Sequence, residues 1–387
     1  MQMSDLRVAF FSGNFNMTVD GANRAQNRLI DSLLSRGIVV RAYSPTIAQP
    51  AFEPKVDLVS LPSVAIPGRS EYRVATGLGA RVRDDLSAFA PNIVHVSAPD
   101  PACHAAVRWA RERGIPVLAT VHTRFETYPR YYNLAFLEPL IVKGLRRFYN
   151  RCDALVAPSQ SMIDELRAMR MHSDIGLWSR GVDRTVFSSA RRDPAWRRAM
   201  GLADDDVAIV FLGRLVMEKG LDVFAETIAR LRELGAAHKV LVIGDGPARP
   251  WFEANLPGAI FAGFITGETL GQALASGDVF FNPSVTETFG NVTLEAMASG
   301  LPVVAAGATG SASLVADGVS GRLVAPSGSK HGDAAAFAQA LAPYCTDPVL
   351  RSDHGAAGET RACEYSWDAI NAAVAETYVR LVEERRG

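Results

Sequence analysis

Short apolar runs rich in β-branched residues alternate with longer stretches of helical periodicity, and the chain passes through this alternation twice. Runs of this kind bury both faces of a strand, which calls for a parallel sheet covered by helices. The first series predicts strands at Arg7–Phe11, Ile38–Tyr43, Val56–Leu61, Ile93–Val96, Val117–Val121 and Ala154–Pro158. A helix is predicted from about Asn23 to Arg36, where Gly37 stops it. The second series predicts strands at Ala208–Leu212, Lys239–Ile243, Ile260–Ala262, Val279–Asn282, Pro302–Ala305 and Gly321–Val324. The expected fold class is α/β, with two Rossmann-like domains facing a cleft. Ligands of such sheets sit at the carboxyl ends of the strands.

The expected domains are 1–183 and 184–366, with Ser179–Asp206, rich in Arg, Asp and Ser, read as the linker. The final segment, 367–387, reads as an amphipathic helix able to pack back on the first domain. At 387 residues the chain exceeds one comfortable core. Its 48% hydrophobic and 21% charged residues exclude a disordered chain. A net charge of −1 conceals an asymmetry: residues 1–180 carry 22 Lys and Arg against 16 Asp and Glu, the remainder 18 against 25. A basic first half suits an anionic ligand or surface, although solvated charge can drift to the same balance. Cys103, Cys152, Cys345 and Cys363 lack zinc-ligand spacing and read as reduced and mostly buried, which implies a cytosol-like compartment. The start lacks the pattern of a signal peptide, and no apolar stretch approaches the ~18 residues of a membrane span. The expected location is cytoplasmic, with any membrane contact made peripherally, on the inner face.

Chemistry concentrates in the string from Glu287 to Val304, which contains Phe289, Gly290, Glu295, Gly300 and Pro302. Gly290 allows a tight turn, and a helix is expected to begin at Asn291 or just after it. Free N–H groups at a helix start suit a diphosphate. Helical side chains tilt toward the N-terminus, so Glu295, one turn in, can reach ribose hydroxyls resting there. Glu287 lies in the loop. A carboxylate beside a diphosphate is useful only if it binds sugar hydroxyls or an incipient positive charge.

A second constellation, Gly213-Arg214-Leu-Val-Met-Glu-Lys219-Gly220, follows the predicted strand Ala208–Leu212. Two cations in a strand-to-helix loop stand where a departing diphosphate needs neutralising. Gly246, in Gly244-Asp-Gly246-Pro247, offers another close-approach loop. In the first half, Gly21 opens a helix, while His122 and His95 lie at strand ends where they touch ligand or simply serve the core. Asp204-Asp205-Asp206 formally contains an Asp-x-Asp metal motif, but it precedes a strand at its amino edge and reads as a solvated turn. No catalytic metal and no cofactor are expected.

With Arg214, Lys219, Glu287, Phe289, Gly290 and Glu295 in order, the chain resembles family 4 of the retaining GT-B-fold glycosyltransferases over essentially its whole length. The resemblance implies that Arg214 and Lys219 bind the donor diphosphate and Glu295 the ribose. It places Glu287 and the Phe289–Gly290 backbone on the transferring sugar and its phosphate, His122 beside that sugar, and Phe264 at the base. Two departures stand out: Gly21-Ala22 replaces the usual Gly-Gly, and Thr123 follows His122 where Asp is common. The His-Thr pair, with Tyr128, Pro129 and Arg130, resembles the branch of sulfoquinovosyl-diacylglycerol synthases and lipid mannosyltransferases.

The resemblance implies a nucleotide-sugar donor, UDP- or GDP-linked, and a hydroxyl acceptor that is a lipid or lipid-linked glycan. The run from Tyr128 to Arg151 mixes Arg130, Lys143, Arg146, Arg147 and Arg151 with apolar residues, and reads either as an amphipathic helix covering the first domain's core or as a face for an anionic membrane surface as partner. Nucleic acid is not an expected partner. Two other classes stay open on these residues: a nucleotide-sugar epimerase of similar architecture and a non-catalytic nucleotide-sugar-binding protein. A dinucleotide dehydrogenase is disfavoured, because no strand leads into a clean Gly-x-Gly-x-x-Gly.

Overall fold

Arg-Val-Ala-Phe-Phe, at Arg7–Phe11, forms β1 of the first sheet, with Val8 to Phe11 buried, in this computed structural model. The residues it describes are 2–17, 21–66, 69–123, 125, 135–287 and 289–386. The chain divides into two units, Met1–Arg180 with Trp367–Gly387, and Gly181–Ser366. The first boundary therefore falls at 180/181, against an expected 183/184.

In the first unit, α1 (Gly21–Ser35), β2 (Val39–Ser44), β3 (Leu58–Ser60), β4 (Ser63–Ile66) and β5 (Arg69–Ala75) follow β1. Next come α2 (Ala80–Phe89), β6 (Ile93–Val96), α3 (Pro101–Arg111), β7 (Val117–Thr120) and α4 (Glu138–Tyr149), then β8 (Ala154–Ala157), α5 (Gln160–Ala168) and β9 (Ile175–Leu177). The main sheet has the order β3-β2-β1-β6-β7-β8-β9, and every pairing in it is parallel. Two features were not expected: the antiparallel hairpin β4–β5, and β9 at the sheet edge. One helical layer packs with Val94, Val96, Leu155 and Ala157 on one face of the sheet; the other face, with Val8, Phe10 and Leu118, is covered by α1 and the C-terminal helix.

The second unit opens with α6 (Pro194–Ala199) in the stretch read as linker. Arg197 locks it down, fully buried, by donating to Asp278 Oδ2 at 2.9 Å and to the carbonyls of Ala203 and Asp206. The acidic run after it belongs to this scaffold: Arg198 pairs with Asp204 at 2.8 Å, and the Asp206 carboxylate accepts from the Ala203 N–H at 2.8 Å. Then follow β10 (Ala208–Leu212), α7 (Leu221–Glu233), β11 (Lys239–Ile243), α8 (Arg249–Asn255), β12 (Ile260–Gly263), α9 (Gly267–Ala275) and β13 (Val279–Asn282). The unit ends with α10 (Asn291–Ala298), β14 (Val303–Ala306), α11 (Thr309–Leu314), β15 (Gly321–Val324), α12 (Lys330–Thr346) and α13 (Pro348–Ala362).

This second sheet is parallel throughout, with the order β12-β11-β10-β13-β14-β15. That is the doubly wound Rossmann order, and its strand order reverses between β10 and β13. The chain's last helix, α14 (Trp367–Arg386), returns to the first unit. There Tyr378 and Thr120 both bond the buried ring of His95, and Asn371 accepts from Trp178 Nε1 at 3.2 Å. Among the described residues no helix is long and apolar enough to cross a membrane.

Candidate active site

Because β10 and β13 are hydrogen-bonded neighbours at the switch point, the loops leaving their carboxyl ends must lie side by side. The first carries Gly213 to Gly220 and contains a short 3-10 turn, Met217–Lys219. Gly220 adopts φ 73°, a left-handed conformation open to glycine, and opens α7 from it. The second carries Pro283 to Gly290. Asn282 steers it: buried, it donates to Thr293 Oγ1 at 3.2 Å and accepts from the Ser284 N–H at 3.1 Å. The loops are tied again where the Thr286 hydroxyl donates to the Glu218 carbonyl at 3.3 Å.

The result is an ion pair across the switch point. Lys219 Nζ stands 2.7 Å from Glu287 Oε1, with side chains 31% and 16% exposed, so the pair is reachable from solvent. Arg214 is exposed and, among the described residues, forms no ion pair. Gly290 (φ 92°) precedes α10, whose start carries no side-chain cap. Its first-turn N–H groups are therefore available to an anion. Glu295 sits one turn in, half-buried. Thr288 lies outside the described residues.

The other expected contacts divide. The Phe289 side chain is 4% exposed and packs edge-on against Tyr365, so only its backbone can meet a ligand. Phe264, just beyond β12, is 74% exposed, as a ring that stacks on a flat partner must be. The glycines after β10 and β11 have a local reason. A Cβ on Gly244 would lie 2.0 Å from the Gly213 carbonyl oxygen, and one on Gly246 would lie 2.5 Å from that of Leu215. Gly246 thus lets two loop backbones touch each other, which accounts for it before any ligand does.

In the first unit, Gly21 is the exposed first residue of α1; residues 18–20 before it lie outside the described set. His122 follows β7 and is half-buried, and its Nδ1 is sealed without a hydrogen-bond partner among the described residues. Burial first, and then the charge of Arg180, push its imidazole down to about 4. His95 does not reach a ligand: it is fully buried, bonded through both ring nitrogens, and pushed down to about 3 by burial and by His122. Sequence reasoning missed Arg180, which it had placed in a linker, and the asparagine that steers the second loop.

The first seven residues of the basic run, 128–134, lie outside the described residues, Arg130 among them. In the rest, α4 turns Leu145, Phe148 and Tyr149 into the core, so these are not available to a membrane. The short 3-10 turn before it, Ala135–Leu137, leaves Phe136 74% exposed, and α4 leaves Leu140 67% exposed, with Lys143, Arg146 and Arg147 also exposed. Cys363 is exposed and the other cysteines are buried.

Two Rossmann-like units, each built on a parallel sheet covered by helices, define the two-domain architecture of the GT-B class. Residues 19–186 match the family described as Glycosyltransferase Family 4 and residues 206–347 that described as Glycosyl transferases group 1; the chain belongs to this glycosyltransferase family. It is 32% identical over 317 residues to a GDP-mannose-dependent alpha-mannosyltransferase of Mycolicibacterium smegmatis, covering 80% of this chain and 82% of that one. A protein of the same name from Corynebacterium glutamicum is 28% identical, over 97% of this chain and 89% of its own. Sulfoquinovosyl transferase SQD2 of Arabidopsis thaliana is 29% identical over 81% of this chain and 61% of its own. The fold is shared with sucrose-phosphate synthase of Thermosynechococcus elongatus, at TM-score 0.77, 19% identity and coverage of 98% and 100%. It is shared also with Anabaena HepE in complex with UDP, at TM-score 0.74, 17% identity and coverage of 97% and 100%.

Proposed function

We propose that the chain is a retaining glycosyltransferase that moves a hexose from a nucleotide sugar to a lipid hydroxyl, with GDP-mannose the first donor to test. The observation that carries this is the Lys219–Glu287 pair beside the uncapped start of α10. Lys219, Arg214 and the α10 N–H groups hold the diphosphate, Glu295 the ribose, and Phe264 the base. Glu287 holds the sugar's hydroxyls, with the Phe289–Gly290 backbone beside the phosphate and Gly213 and Gly246 shaping the loops under it; for His122 and Gly21 we keep the donor-binding roles that the family resemblance implies. The names of the mannosyltransferase relatives support the donor, and the resemblance to the sulfoquinovosyl-diacylglycerol synthase branch supports a glycolipid product.

In the reaction the bond from the anomeric carbon to the phosphate oxygen breaks, and positive charge grows on the sugar while negative charge grows on the diphosphate. Fixed cations and helix N–H groups favour that second charge most where it develops. The acceptor oxygen attacks from the face the diphosphate leaves, and its proton passes to the departing phosphate. Retaining glycosidases use two carboxylates ~5–5.5 Å apart, one as nucleophile. Glu287 is instead paired with a lysine, which suits a binding group better than a nucleophile. No catalytic metal takes part in this account.

The lipid acceptor brings the enzyme to a membrane from the side. Phe136 and Leu140 insert and the α4 cations meet anionic headgroups, each contributing about 1 kcal/mol near the surface. The test joins turnover with sedimentation. GDP should be released from GDP-mannose only when lipid acceptor is present, and the protein should pellet with anionic liposomes less as salt rises. Donor consumption without acceptor would favour an epimerase. A protein that stays in the supernatant and glycosylates soluble acceptors alone would refute the lipid assignment.

A further inference from the structure

Arg180 is 4% exposed, yet it forms no ion pair among the described residues. Its Nη1 donates to the carbonyls of Trp178 at 3.0 Å and Ser179 at 3.1 Å, and its guanidinium lies 4.6 Å from the centre of the Trp178 ring. A cation held inside by carbonyls and a ring, without a carboxylate, keeps an outward positive field that nothing local cancels. Burial lowers it to about 10, which still leaves it charged at neutral pH.

His122 and Arg180 follow β7 and β9 of one sheet, with β8 between those strands, so both stand at the same carboxyl edge. His122 Nδ1 is sealed and has no acceptor among the described residues. A proton on that nitrogen would be a buried donor without a partner, set in the field of a cation. A bare lone pair there is favoured by both terms. The proton therefore belongs on Nε2, the nitrogen that is not sealed in.

We propose that Arg180 is a positioning residue that holds His122 as the neutral Nε2–H form, so that His122 meets the donor sugar as a hydrogen-bond donor rather than as a base. This rests on the reading of His122 as a donor-sugar contact. Burial and the charge on Arg180 both oppose a second proton on the ring, and among the described residues His95, which interacts with it, is itself buried and pushed down to about 3.

The test is nitrogen NMR of the whole protein with labelled histidine, which has 7 such residues, His122 being assigned by the signal lost in His122→Gln. Wild type should show a bare Nδ1 and a protonated Nε2 at pH 7, with no second proton gained down to about pH 5. Arg180→Met should titrate about one pH unit higher, while Arg180→Lys stays near wild type. A protonated Nδ1, wild-type titration near 6.5, or an unmoved Arg180→Met that circular dichroism finds folded overturns the proposal. If Arg180→Met does not fold, the wild-type tautomer decides. Unchanged turnover in His122→Gln overturns the sugar contact by itself, while the tautomer readout still judges Arg180.

Discussion

Lys219 and Glu287, 68 residues apart in sequence, meet at 2.7 Å because their loops leave adjacent strands at the point where the sheet order reverses. A diphosphate entering this place competes with Glu287 for the lysine. Glu287→Gln removes the competing charge and the sugar's carboxylate together. It should bind GDP at least as tightly as wild type yet lose turnover about 100-fold, a split that calorimetry and steady-state kinetics read separately. Weaker GDP binding would show that Glu287 serves the nucleotide instead.

Lys219→Ala and Arg214→Ala should each fold and each lose at least ~100-fold in turnover, the scale seen when one preorganised electrostatic donor is removed. Both side chains are solvent-reachable and neither is part of the core. Near-wild-type rates in a folded variant would remove the cations from the mechanism.

Turnover should survive excess EDTA. The motive is the pair of cations, which supplies the positive charge a metal would otherwise bring, and the engagement of Asp204 with Arg198 within the α6 scaffold. Loss of activity on chelation, restored by magnesium or manganese, would contradict this.

Stability should fall on mild acidification. His95 and His122 are held neutral in the fold, pushed down to about 3 and about 4, while an unfolded histidine titrates near 6.5. The unfolded chain therefore binds more protons between those limits. The stabilisation is complete above ~6.5 and fades as pH falls, by on the order of 1 kcal/mol per pH unit for each ring. Thermal melts from pH 7.5 to 5 should show a falling Tm, with a shallower slope in His95→Asn. A flat profile would mean that these rings are not neutral in the native state.

Most strands of both sheets were legible because they are short runs with Val, Ile, Leu or Phe buried on both faces, as in Val279–Asn282, and glycines ended several of the helices. The hairpin β4–β5 and the edge strand β9 were not, since Ile175-Gly-Leu177 is three residues with a central glycine and too brief to carry periodicity. The residues of the two switch-point loops were legible because charge and glycine stand at fixed offsets from predicted strands. Gly246 was assigned to ligand approach, whereas a contact between two loop backbones explains it. Arg180 was illegible for a different reason. What marks it is burial without a counter-charge, which only tertiary structure creates. The same holds for His95, whose position at a strand end suggested ligand contact until Tyr378 of α14 was found against it.

The central claim is that the second unit holds a nucleoside diphosphate on Arg214, Lys219 and the start of α10. Calorimetric titration of GDP and UDP into the full-length protein and into Lys219→Ala tests it most directly. The account predicts that wild type binds at least one of them and that the variant binds it at least ~10-fold more weakly, about 1.4 kcal/mol. Absence of binding by wild type to either nucleotide, or equal affinity in the two proteins, would contradict it.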